Sequence, residues 1–126
     1  MPDLTTMTPD EIAARLEANA IAQQNDVFRT NGMQGEDVGK WVLTAAIHAR
    51  GPDFVAACVA AVRAFDQFTE DNDPYGDHSF GRVEIHGEAV WWKIDLYDAA
   101  YEYGSDAPAE IAKTRRVLTI LFPSDY

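Results

Sequence analysis

Apolar and polar positions alternate along this chain with periods that change from block to block. Ile12, Leu16 and Ala20, then Val27 and Phe28, recur at the spacing of one helix face. Thr8 and Glu11 have capping-box spacing, Pro9 falls at the first helical position, and Gly32 can end the helix as an αL cap. The stripe is narrow and alanine-rich, which favours core packing over a partner-docking role. The run from Lys40 to His48 (KWVLTAAIH) alternates instead, with Trp41, Leu43 and Ile47 on one face and Val42, Thr44 and His48 on the other, and reads as a strand. His48 is a surface histidine on this reading, since no second ligand stands at a recognisable spacing.

Gly51 and Pro52 break the chain, and a second helix over Asp53 to Phe68 carries a wide apolar stripe of Phe54, Val55, Cys58, Val59, Val62 and Phe65. A type II′ turn at Gly87 and Glu88 then registers a hairpin: His86 faces Ala89, Ile85 faces Val90, Glu84 faces Trp91, Val83 faces Trp92 and Arg82 faces Lys93. Val83, Ile85, Val90, Trp92 and Ile94 share its apolar side, while Arg82, Glu84, His86, Trp91, Lys93 and Asp95 share the other. Arg82 opposite Lys93 is the one discord, relieved by Glu84 and Asp95 as diagonal neighbours. Pro108 starts a short helical turn ending near Lys113, and the continuous run Arg115 to Phe122 (RRVLTILF) reads as a central strand buried on both faces.

These elements predict an α+β fold: a mostly antiparallel four-stranded sheet with two main helices packed chiefly on one face. The 126 residues make a single domain, 1–126, with 1–7 as a loose N-terminal tail. One open sheet edge would allow a homodimer. Cys58, the lone cysteine, sits among alanines and valine as a small buried hydrophobe. With neither a signal-peptide pattern nor a long apolar run, the sequence reads as cytoplasmic and not membrane-bound.

Charge changes this picture more than composition does. The net charge is −11, and residues 66–110 hold 12 acids against 2 bases, Arg82 and Lys93. Such a field repels nucleic acid and anionic membranes and attracts basic protein surfaces. Direct nucleic-acid binding is therefore not expected. Solubility alone is the plain alternative explanation.

Candidate chemistry concentrates in Thr69 to Ser79, TEDNDPYGDHS. Glu70, Asp71, Asp73 and Asp77 repel one another unless a cation, a base or backbone N–H groups compensate. Taken as an EF-hand from Asp71, the loop places Asp73 and Gly76 correctly, but Tyr75 stands at position five and Arg82 where a bidentate Glu is needed. A looser magnesium or calcium site from Asp71, Asp73 and Asp77 is one alternative; an Asx-turn loop in which Asp71, Asn72 and Asp73 satisfy their own backbone is another. Gly35, Gly39 and Lys40 do not make a phosphate loop, because the spacing is one residue short and Trp41 follows the lysine. Further on, Tyr97, Tyr101 and Tyr103 alternate with Asp98, Glu102 and Asp106, a pattern suited to arginine and lysine on a partner.

The runs FDQFTEDNDPYGDHSFG, WKIDLYD and TRRVLTILFPSDY resemble a family of short bacterial proteins known only as a domain of unknown function, with the pattern FDxFTEDNDPxGEHDFG, WKIDYYD and TRVLTI. The resemblance covers roughly residues 20 to 126. Asp77, Ser79 and Leu96 depart from it. It implies no activity, but it marks Glu70, Asp71, Asp73, Tyr75, His78, Lys93, Asp95, Tyr97 and Asp98 as motif positions.

Two functions follow. The first is an acidic interaction protein that binds and inhibits or regulates a basic, nucleic-acid-binding partner as a nucleic-acid mimic, of anti-restriction or anti-CRISPR type by analogy of size and charge. Its contact residues are Glu70, Asp71, Asp73, Tyr75, Asp77, His78, Trp91, Lys93, Asp95, Tyr97, Asp98, Tyr101 and Glu102, and it uses no cofactor. The alternative is a small metal-dependent enzyme built on loop 70–78, with His78 or His86 handling protons. No nucleophile and base stand at a recognisable spacing, which favours binding over catalysis.

Overall fold

Thr8 begins the fold: from extended backbone its Oγ1 accepts the Glu11 N–H at 3.2 Å and caps a helix, α1, over Pro9–Asn31. The structure, a computed structural model, describes residues 6–126. Of the tail expected over 1–7, residues 1–5 lie outside the described residues. Gly32 closes α1 at φ 75°, but its ψ of −156° is not αL, so the chain leaves the helix extended. The docked face of α1 also differs from the expected stripe. Ile21, Ala22, Asn25, Phe28 and Arg29 turn inward, while Leu16 and Val27 are 62% and 56% exposed. Asn25 and Arg29 find hydrogen-bond partners inside, and the helix orients to satisfy them.

Strand β1 is Gly39–Leu43. It stops short of the expected His48 because Thr44 Oγ1 accepts the Ile47 N–H and caps a one-turn helix, α2, Ala45–His48. That turn buries Ile47 and leaves His48 exposed. Helix α3, Pro52–Ala64, ends before the expected Phe68, because Phe65 takes extended backbone (φ −62°, ψ 130°). Phe54, Cys58 and Val62 are its buried stripe.

Strands β2 (Phe80–Ile85) and β3 (Glu88–Tyr97) form the hairpin. Its turn is His86–Gly87, with φ 51° and 82°, the two left-handed residues of a type I′ connection, in place of the expected II′ turn one residue later. The register therefore shifts by two: Val83 pairs Val90, Arg82 pairs Trp91 and Phe80 pairs Lys93. A two-residue shift keeps every side chain on its face, so the apolar side stands as expected, and the Arg82–Lys93 repulsion is avoided. Gly81 lies opposite Trp92 beneath its indole, where a Cβ would overlap the ring.

A short 3₁₀ turn, Ile111–Lys113, precedes β4, Arg115–Leu121. The sheet order is β1-β4-β3-β2, with β1 parallel to β4 and the other pairs antiparallel. The fold is thus α+β with a mostly antiparallel sheet, open at both β1 and β2. Central β4 is not buried on both faces along its length: Arg116, Leu118 and Ile120 are buried, while on the other side Arg115, Val117 and Thr119 are half-buried and Leu121 alone is buried. The helices cover one face only. Phe28, Ile47, Phe54, Cys58 and Val62 from the helices meet Ile85, Val90, Trp92, Ile94, Leu118 and Ile120 from the strands in one core. Among the described residues no helix is long and apolar enough to cross a membrane.

Candidate functional site

Loop 69–79 has no regular structure, yet its inward polar groups are tied down. Asn72 Oδ1 accepts the Thr69 N–H (2.8 Å), its Nδ2 donates to the Gln67 carbonyl (2.7 Å), and its own N–H bonds Thr69 Oγ1. These are side-chain-to-backbone turns of the kind expected of this composition. Asp73 accepts the His78 N–H, and Asp77 Oδ1 accepts the Ser79 hydroxyl at 2.8 Å. Asn25 Nδ2 reaches from α1 to the Asp77 carbonyl at 2.9 Å, and the Ser79 carbonyl accepts the Ile94 N–H from β3. The loop is bound to its scaffold on two sides.

His78 is the central brace. Its ring stacks on Phe68, centroids 3.8 Å apart and planes 1° apart, and Nδ1 lies 2.9 Å from Asp26 Oδ2. A carboxylate accepts, so Nδ1 carries the proton. Nε2 faces Asp73 Oδ2 at 3.5 Å. The backbone at His78 is left-handed (φ 55°), a conformation that costs a non-glycine residue about 1 kcal/mol or more and persists because these contacts over-determine it. The Asp73 side chain is only 8% exposed; burial pushes its carboxyl above the ordinary aspartate range, and the His78 N–H pulls it back.

Behind the brace stands Arg29. Its guanidinium pairs with Asp26 at 3.0 Å, donates to the carbonyls of Val62 (2.8 Å) and Arg63 (3.2 Å) at the end of α3, and lies over the rings of Phe68 and Trp92. Arg63 Nε returns the bond to the Thr30 carbonyl at the end of α1. Each helix thus supplies a cation to the negative C-terminus of the other. An open groove of about 570 Å³ runs beside this cluster, with Arg15 and Asn19 of α1 on one wall and Thr69, Glu70, Asp73 and His78 on the other.

The expected contact residues separate into groups. In the loop, Glu70, Asp71 and Tyr75 are exposed, Tyr75 at 81%, and Asp73, Asp77 and His78 are half-buried and make internal bonds. On the uncovered face of the sheet Trp91 is half-buried, in edge-to-face contact with Phe80 (5.4 Å) and Tyr126 (6.0 Å). Lys93 Nζ bonds Asp95 at 2.7 Å, which raises the Lys93 pKa, and Tyr97 pairs across to Arg115. Asp98 accepts the N–H groups of Ala100 and Glu102 and serves as a local cap. Tyr101 donates to the Glu36 carbonyl and carries Lys40 over its ring, while Glu102 and Tyr103 are exposed. The sheet lies between the loop group, held by α1, and the outer-face group.

For the metal alternative, Asp71, Asp73 and Asp77 would have to converge. Among the described residues no group of three or more His, Cys, Asp or Glu is placed to hold a metal ion. Sequence reasoning missed Asn25, Asp26, Arg29 and Arg116. The signal available was Ile21, Asn25 and Phe28 at helical spacing, which puts a polar side chain inside an apolar stripe.

Fold and site define a small two-layer α+β protein that carries a braced acidic loop beyond its second main helix. The chain belongs to the family described as "Protein of unknown function (DUF3768)", whose sequence profile matches residues 43–125. The match begins at the end of β1, later than the expected residue 20, so Asn25, Asp26 and Arg29 lie outside it. No curated protein and no solved structure matches the chain.

Proposed function

We propose that this protein is an acidic interaction protein whose loop 69–78 engages a basic surface of a nucleic-acid-binding protein and inhibits or regulates it as a nucleic-acid mimic. One observation supports this reading above others. The loop's inward polar groups are bound by its own turns or by α1, while Asp71 and Tyr75 face outward from that fixed frame and the exposed Glu70 lines the groove beside α1. A surface ordered before binding avoids the entropy of ordering at binding, and two carboxylates beside a tyrosine offer charge-assisted bonds and a cation–π face to arginine or lysine. Asp73 and Asp77 act through loop shape rather than contact. The reading places the protein in the cytoplasm and assigns it to the anti-restriction or anti-CRISPR type of inhibitor.

The test is a pull-down from lysate with the full chain as bait, at low and high salt, with double-stranded DNA as competitor. The expected catch is a basic nucleic-acid-binding protein, released by salt and by DNA, and lost when the bait carries Glu70→Gln, Asp71→Asn and Tyr75→Ala together. A catch that ignores DNA and those substitutions would contradict mimicry by this loop.

A further inference from the structure

Arg116 of β4 is buried with 2% exposure and makes no ion pair within 4 Å among the described residues, although Asp37 lines the same pocket. Its Nε donates to Asn25 Oδ1 at 2.8 Å and its Nη2 to Gln24 Oε1 at 2.9 Å, both neutral amide oxygens. Asn25 and Gln24 are themselves fixed, by Nδ2 to the Asp77 carbonyl and Nε2 to the Ala109 carbonyl. No carboxylate among the described residues pairs with Arg116. Burial lowers its pKa to about 10, which leaves it charged at neutral pH. Of the five donors a guanidinium carries, two are used, and Nη1 has no hydrogen-bond partner among the described residues.

Arg116 lines a pocket of about 160 Å³ between α1, residues 34–38 and the 3₁₀ turn, whose walls include Val27, Phe28, Val38 and Ile111. An apolar cavity of roughly that size holds a molecule of about six to nine non-hydrogen atoms. A buried cation is retained at a cost unless an anion meets it, and the fork of a guanidinium matches a carboxylate through two parallel N–H bonds. We infer that this pocket is a binding site for a small apolar carboxylate, its carboxylate on the free edge of Arg116 and its hydrocarbon body against Val27, Phe28, Val38 and Ile111. Asp37 also lines the pocket and can take an α-ammonium group, so a branched short-chain fatty acid and an apolar amino acid share the required chemistry. The protein's net charge of −11 works against anion capture from solution, but exposed acids are screened beyond about 10 Å at 0.1 M salt while the buried guanidinium is not.

The probes are 4-methylpentanoate, its neutral isostere 4-methylpentanamide, and L-leucine, titrated into the full chain by calorimetry and by ¹⁵N chemical shifts, including the Arg116 Nε–H. Saturable carboxylate binding is expected, with shifts confined to residues 24–38 and 109–116 and at least about tenfold weaker binding of the amide. Val27→Trp, at a wall position that is 56% exposed, should block the pocket and weaken binding about tenfold while leaving the urea unfolding midpoint unchanged. Tighter binding of leucine, lost in Asp37→Asn, identifies an amino acid as the ligand; preference for 4-methylpentanoate identifies a fatty acid. Absence of saturable binding at millimolar concentration, equal binding of acid and amide, or binding unaffected by Val27→Trp would each overturn the site.

Discussion

Arg29 and Arg116 are buried alike, each 2% exposed, and both lie between α1 and the rest of the fold. Arg29 has partners suited to a cation, a carboxylate, two carbonyls at a helix C-terminus and the faces of two aromatic rings, and only its Nε is buried without a hydrogen-bond partner. Arg116 has two neutral amide oxygens and an open edge. The difference teaches what a buried charge is for. A matched one anchors structure, because removing it strands its partners; an unmatched one gives up hydration with little return inside the protein, and its retention points to something that binds there.

The comparison is most exposed to Arg29→Met. That change leaves the Val62 and Arg63 carbonyls uncapped and Asp26 without its cation, so a loss of about 3–5 kcal/mol is expected in urea unfolding. A loss near 1 kcal/mol would place Arg29 beside Arg116 and break the contrast. Arg116→Met should cost only about 1 kcal/mol, because relief of the desolvated charge offsets the orphaned Asn25 oxygen. Equal losses for the two would remove the distinction.

His78→Ala sharpens the comparison on the Arg29 side. Loss of the Phe68 stack and the Asp26 bond should lower global stability by about 1 kcal/mol. Amide exchange should accelerate across residues 69–79 while β4 stays protected. Uniform acceleration would mean that His78 is not a local brace.

The smallest effect concerns pH. The Asp73 carboxyl titrates higher in the folded protein than in the unfolded chain, so the native state binds more protons in the window just above the ordinary aspartate value. Stability therefore falls as pH rises through that window, and Asp73→Asn should flatten that part of the profile. An unchanged profile would show that burial of Asp73 carries no such penalty.

Much of the framework is legible in the sequence because its signals are local. Thr8, Pro9 and Glu11 start α1, and the hairpin faces follow from period-two alternation even though the turn at His86–Gly87 moves the register by two. Where a polar side chain decides, local pattern fails. Thr44 ends β1 by capping α2, and Asn25 and Arg29 turn α1 away from its Leu16–Val27 side. The site follows the same division. The acids of the loop announce themselves, but the bonds that hold the loop and seat Arg116 join residues 52, 91 and 92 positions apart, and no spacing rule reaches that far. The run RRVLTILF read as apolar throughout, which hid Arg116 inside it.

The central claim is that Glu70, Asp71 and Tyr75 are displayed to a basic partner by a braced loop. The most direct measurement is the salt dependence of affinity for the recovered partner, for the wild type and for Glu70→Gln/Asp71→Asn, with unfolding measured in parallel. The account predicts weaker binding and a flatter salt slope for the variant, at unchanged stability. Identical slopes, or a variant that loses binding only because it unfolds, would contradict it.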